Sequence, residues 1–151
     1  MLEGHIQAMD QYDGPMIASH ANCRAFVPGD RQLSDEMIKA LIAHDGVIGA
    51  VCDAWMLSAG WKKGDENSSV TLTTVANHID HVCQLAGNAD HAGIGSDLDG
   101  GFGAEQSPSD LNSISDLHKL LLILKDLGYS DNDVEKIAHG NWLRVIHRAW
   151  N

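Results

Sequence analysis

Apolar residues fall into short near-continuous runs and longer stripes at helical spacing, and the two alternate along the chain. Leu2, Ile6, Met9 and Tyr12 predict a first helix, stopped by Gly14-Pro15. Residues 15–20 read as a short buried strand that ends on polar side chains. The loop that follows, up to Leu33, carries the turn signal Pro28-Gly29-Asp30. Ser34 is a natural N-cap, with Asp35 and Glu36 in the first turn, where acids suit the helix dipole. Met37, Ile38, Leu41 and Ile42 give this helix its apolar stripe, and Gly46 ends it. Residues 47–52 predict a second strand, and residues 53–70 are irregular. Leu72, Val75, Ile79, Val82 and Ala86 form the clearest helical stripe, closed by Gly87. Residues 91–96 give a third strand, interrupted by two glycines, before a glycine-rich acidic loop from Asp97 to Pro108. The tail predicts helices over 114–127, 130–139 and 141–150. Strand, loop and helix three times over imply right-handed βαβ units, a parallel sheet covered by helices. No linker or repeat divides residues 1–151, so they form one α/β unit.

Composition narrows the function more than the fold. With 10 basic and 21 acidic residues the formal net charge is −11, which repels phosphate backbones and anionic lipid. Nucleic acid and membrane surfaces are therefore set aside as partners, and no apolar run is long enough to span a bilayer. Three cysteines without CxxC spacing make neither a disulfide framework nor a cysteine-rich zinc site. They favour a reducing, cytoplasmic setting or buried thiols. Nine histidines are the unusual feature.

Ligands of parallel α/β folds bind at the carboxyl ends of the strands. The first strand end offers His20, with Asn22, Cys23 and Arg24 beyond it and Arg31 further along; the second offers Asp53; the third offers Asp97 and Asp99. A histidine and an aspartate at the ends of separate strands of one sheet suit a divalent metal and the handling of its water. His78 and His81, three apart on the strongest helix, have metal-pair spacing, but the apolar stripe leaves them at its edge or outer face, where packing or solvation is expected. Asp97-Leu98-Asp99-Gly100 resembles the start of a calcium loop, yet no glutamate stands at the twelfth position from either aspartate. The cysteines offer no Cys–His dyad, since Cys23 is followed by Arg24 and is not tied to a base, so a thiol nucleophile is not expected.

Taken in order, five strings resemble the membrane dipeptidase (renal dipeptidase) family. They are Pro15-Met16-Ile17-Ala18-Ser19-His20-Ala21-Asn22-Cys23-Arg24 with Leu33-Ser34-Asp35-Glu36, Gly46-Val47-Ile48-Gly49, His78-Ile79-Asp80-His81-Val82, Gly93-Ile94-Gly95-Ser96-Asp97-Leu98-Asp99-Gly100, and Gly140-Asn141-Trp142-Leu143-Arg144-Val145. The resemblance implies a (β/α) TIM-type barrel, with the three strands as its sixth to eighth and residues 1–151 as its carboxyl-terminal portion. It implies two zinc ions and a dipeptide substrate, with His20 as a zinc ligand, Arg31 as the grip on the substrate's terminal carboxylate and Asp97 as catalytic acid/base. A whole barrel needs about 250 residues, so four of the five expected metal ligands are placed upstream of residue 1. The chain alone is expected to be inactive and, with open strand edges, to self-associate. At the second strand end Ala50-Val51-Cys52-Asp53-Ala54-Trp55-Met56 departs from the Asn- and Tyr-containing version of the renal-type enzymes. The alternatives are another amidohydrolase acting on a different amide, and a catalytically dead binding or scaffold module of the same fold.

Overall fold

A computed structural model describes residues 11, 12 and 14–150. The helical pattern of Leu2, Ile6 and Met9 lies outside them. Three parallel strands, β1 (Ile17–Ala18), β2 (Val47–Ala50) and β3 (Ala92–Ile94), lie side by side in that order. Ile17 pairs with Val47, and Ile48, Gly49 and Ala50 pair with Ala92, Gly93 and Ile94. Between them run α1 (Asp35–Ala43), the single turn α2 (Ala54–Leu57) and α3 (Leu72–Ala86); α4 (Leu117–Asp126), α5 (Asp131–Glu135) and α6 (Asn141–Trp150) follow.

Local chemistry sets the helix ends. The Ser34 hydroxyl accepts from Met37 N–H at 3.3 Å, as its N-cap position predicts. Thr71 and Thr74 cap the start of α3 reciprocally, and Asp110, from a remote loop, accepts from Leu72 N–H at 2.9 Å. Gly87 ends α3 at φ 71°, a left-handed conformation that favours glycine. The stripe of α3 buries Leu72, Val75, Ile79 and Val82 against Ile38 and Leu41 of α1, Ile48, Ala50 and Ala92 of the sheet, and Leu120 and Leu124 of α4. Burying each such side chain contributes about 1.5–3 kcal/mol. Among the described residues no helix is long and apolar enough to cross a membrane.

The opposite face of the sheet is covered by α6. An ideal Cβ on Gly93 or Gly49 would come within 2.6 or 2.9 Å of the Trp142 indole, so glycine at both positions makes room for that ring. Carbonyls on the outer edge of β3 are also taken by α6. In the parallel ladder His91 O and Gly95 N face β2, so Ala92 and Ile94 face away. Ala92 O accepts from Asn141 Nδ2 at 2.8 Å and Ile94 O from Trp142 Nε1 at 3.1 Å. The tail differs from expectation in one respect. Instead of two helices separated near Gly140, a wide π-type turn over Lys136–Gly140 joins α5 to α6, with Asn141 N–H donating to Lys136 O. That turn leads straight into Asn141, whose Nδ2 also reaches Ala89 O at 2.7 Å.

Candidate active site at the strand exits

Because the strands are parallel, their exits lie at one end of the sheet, and each exit carries one of the polar residues singled out from sequence. His20 stands two residues beyond β1, exposed, with the Ser19 hydroxyl 2.7 Å from Nδ1. That contact engages Nδ1 and not Nε2. Arg31 is exposed too, and one Nη2 donates to the His20 carbonyl at 3.0 Å. The structure thus brings His20 and Arg31 together across an eleven-residue loop. Asp97 follows β3 by three residues, half-buried, at φ 60°. Its carbonyl accepts from Gly100 N–H at 2.9 Å, so the Asp97 turn is closed by backbone. Asp and Asn tolerate this left-handed region better than most side chains.

Asp53 is placed differently from a free ligand. It is buried, accepts from Trp55 N–H at 3.3 Å, and takes Gln106 Nε2 on both oxygens at 2.9 and 3.0 Å. It ties the β2 exit to the loop after β3. Asn67 Nδ2 holds the same loop through Ala104 O and Ser107 O at 2.8 and 2.7 Å. Between Leu98, Phe102 and Leu111 that loop borders an open pocket of about 450 Å³, lined also by Ser96 and Asp99.

The holding roles of four residues were not legible in the sequence. Asn22 is 1% exposed, and its carboxamide extends the sheet where the backbone pairing stops. Oδ1 accepts from Val51 N–H at 3.0 Å, while Nδ2 donates to Val51 O and Met56 O at 3.2 and 3.1 Å. Gln32, equally buried, donates from Nε2 to Met56 O at 3.0 Å and accepts from Asn22 N–H at 3.2 Å. Gln106 is the third. For Asn22 the only signal in sequence was a polar amide next to a strand exit, and for Gln32 and Gln106 not even that.

The fourth is His78. The edge of the α3 stripe is covered by the β1-exit loop, so His78 is buried, not at the outer face. Its Nδ1 accepts from Cys23 N–H at 3.0 Å. His81 reaches Asp35 Oδ1 at 2.8 Å and remains partly exposed. Cys23 thus lies beside a histidine after all, but the contact is through backbone, and burial pushes its thiol up to about 12, unsuited to a nucleophile. All three cysteines are free and buried. Among the described residues no three His, Cys, Asp or Glu gather closely enough to hold a metal.

Burial, then the neighbouring His81, lowers the His78 pKa from 6.5 to about 4. The unfolded chain therefore binds a proton between these values that the folded chain refuses. This contribution is fully present above pH 6.5 and is lost as pH falls through 6.5 toward 4, a loss of about 3 kcal/mol. Urea unfolding from pH 7 to pH 4 should show that loss in the parent chain and not in His78→Asn, beyond the acid loss common to both. Parallel pH profiles for the two would refute the assignment.

The sequence profile of "Membrane dipeptidase (Peptidase family M19)" matches residues 4–151. A Klebsiella pneumoniae protein known as "Uncharacterized protein in pqqA 5'region" is 33% identical over 136 residues, which are 90% of this chain and 47% of that protein. Dipeptidase aclJ of Aspergillus oryzae is 30% identical over 132 residues, 87% of this chain and 29% of its own. A crystal structure of a metallopeptidase from Rhodobacter sphaeroides, liganded with a phosphinate mimic of the dipeptide L-Ala-D-Ala, superposes with a TM-score of 0.83 at 26% identity, covering 97% of this chain and 40% of that one. The chain spans less than half the length of these relatives.

Proposed function

The chain belongs to the membrane dipeptidase family, peptidase family M19, and we propose that it is the carboxyl-terminal portion of a zinc-dependent dipeptidase barrel, with β1 to β3 as the sixth to eighth strands. The observation that carries the reading is the placement of His20, Arg31 and Asp97 at one end of a parallel sheet, with His20 and Arg31 in direct contact. The dipeptide mimic bound by the Rhodobacter sphaeroides relative supports a dipeptide as substrate.

His20 fits a zinc site in kind, an exposed imidazole with one nitrogen held by a hydroxyl. It is one ligand, and catalytic zinc sites take about three from protein, so the remaining ligands come from elsewhere in a complete enzyme. Zinc, when bound, lowers the pKa of a coordinated water toward neutrality. Arg31 keeps its remaining guanidinium donors for the terminal carboxylate of the dipeptide, a planar match for a planar anion. Asp97 takes the proton of the attacking water and returns it to the leaving amine. The 151-residue chain alone does not turn over dipeptides.

The test compares the purified chain with a longer protein that contains it, both assayed on a panel of dipeptides with and without added zinc. Chelator-sensitive hydrolysis by the longer protein and none by the chain is expected. Robust hydrolysis by the chain alone overturns the incompleteness. A longer protein that binds zinc and cleaves no dipeptide favours another amide as substrate, and one that binds no zinc favours the binding module.

A further inference from the structure

We propose that His78 is a positioning residue that fixes the loop carrying His20 and Arg31, through its hydrogen bond to the backbone of Cys23. The importance of that loop rests on the functional reading above; the contact itself does not. Cys23 touches one histidine twice, through N–H to Nδ1 at 3.0 Å and through Sγ to the His78 carbonyl at 3.5 Å. Three residues on, the Phe26 ring stands nearly perpendicular to His78, with centroids 5.0 Å apart, and 5.2 Å from the ring of His81. His81 is in turn held by Asp35 of α1. The two histidines of α3 and the phenylalanine thus form one clamp over the loop.

Cys23 is where such a clamp acts on both ends of the loop. It forms a parallel bridge with Leu33, strengthened by Arg24 N–H to Leu33 O at 2.8 Å and Leu33 N–H to Asn22 O at 2.9 Å. His20 lies three residues before Cys23, and Arg31 two before Leu33. Fixing one amide therefore fixes the approach of both side chains.

Packing alone does not account for a histidine here. With Nδ1 accepting, the ring proton sits on Nε2, and Nε2 is buried without a hydrogen-bond partner. A leucine or phenylalanine would fill the volume without that unmet donor, which costs about 1–3 kcal/mol. What either would lack is an acceptor for the Cys23 amide.

The test uses nuclear magnetic resonance on the full chain at pH 7. Long-range proton–nitrogen spectra should show His78 protonated on Nε2 and bare on Nδ1, and the Cys23 amide should exchange slowly. Asparagine presents its oxygen where Nδ1 stood, and glutamine where Nε2 stood. His78→Asn should keep Cys23 protection and the His20 ring signals. His78→Gln should lower Cys23 protection by roughly tenfold or more, the worth of one buried hydrogen bond, and shift the His20 signals, while Leu120 and Leu124 amides stay protected. A proton on Nδ1, or equal behaviour of the two variants, overturns the proposal; the first result needs no substitution. Failure of His20→Ala to lower bound zinc in a longer protein would sink the functional reading and leave these signals unchanged.

Discussion

In a protein that contains this chain, Asp97→Asn should lower kcat by about 100- to 10,000-fold, the range for a lost general acid–base group, with KM and zinc content near their original values. The carboxamide keeps the shape and cannot cycle a proton at neutral pH. The variant is also structurally mild. Asparagine tolerates φ 60° as aspartate does, and the turn is closed by the Asp97 carbonyl and Gly100 N–H, which the substitution leaves alone. Two companions separate the roles. Arg31→Ala should raise KM strongly for free dipeptides and hardly affect a substrate without a terminal carboxylate. His20→Ala should lose zinc and rate together. Steady-state kinetics with metal analysis on all three variants decides the matter: near-normal kcat in Asp97→Asn, or zinc loss as deep as in His20→Ala, removes Asp97 from the acid–base role.

Asn22→Leu should destabilise the chain by about 4 kcal/mol, because it leaves Val51 N–H and Val51 O without the carboxamide that satisfies them, while Met56 O keeps Gln32 Nε2, and each buried unpaired group costs about 1–3 kcal/mol. A domain of this size has only about 5–15 kcal/mol of stability, so the variant should be close to unfolding at room temperature. Urea denaturation followed by far-ultraviolet circular dichroism measures it, and a loss below about 1 kcal/mol would show that the backbone holds the β1–β2 exit unaided. The nearly isosteric leucine is the informative choice, since it keeps the volume and removes only the polar bonds.

Where the local rules agreed, the sequence was readable. The stripe from Leu72 to Ala86 is a helix of that extent because its apolar period, its threonine cap and its closing glycine agree. The Ser34 cap and the buried face of α1 follow for the same reason. Strands were read as longer than they are, six residues against the two of Ile17–Ala18. Ser19 and His20 continue the run without a glycine or proline to stop it, but the chain bends there so that Ala21 N–H meets Gly49 O, and the Asn22 side chain takes over the pairing. Side-chain substitutes for backbone bonds have no periodicity to read. For His78 the sequence left packing and solvation both open, because the stripe of a helix marks what its own neighbours bury, and not what a distant loop lays over its margin. His20, Arg31 and Asp97 were singled out at the strand exits, and the family resemblance only suggested their roles; their placement on one sheet end follows from parallel topology, and the contact of Arg31 with the His20 carbonyl was legible from neither.

The cap on the outer edge of β3 has a consequence in time. Asn141 and Trp142 lie 49 and 48 residues after the carbonyls they hold. During synthesis β3 therefore leaves the ribosome well before its cap exists. At about 5–20 residues per second the interval is on the order of 2–10 seconds, long compared with the microseconds in which a strand pair closes. A strand made earlier has that window to claim the edge of β3 unopposed. One arriving later must displace an amide and an indole already in place, so the order of arrival, and not only the strength of the bonds, decides what borders the sheet.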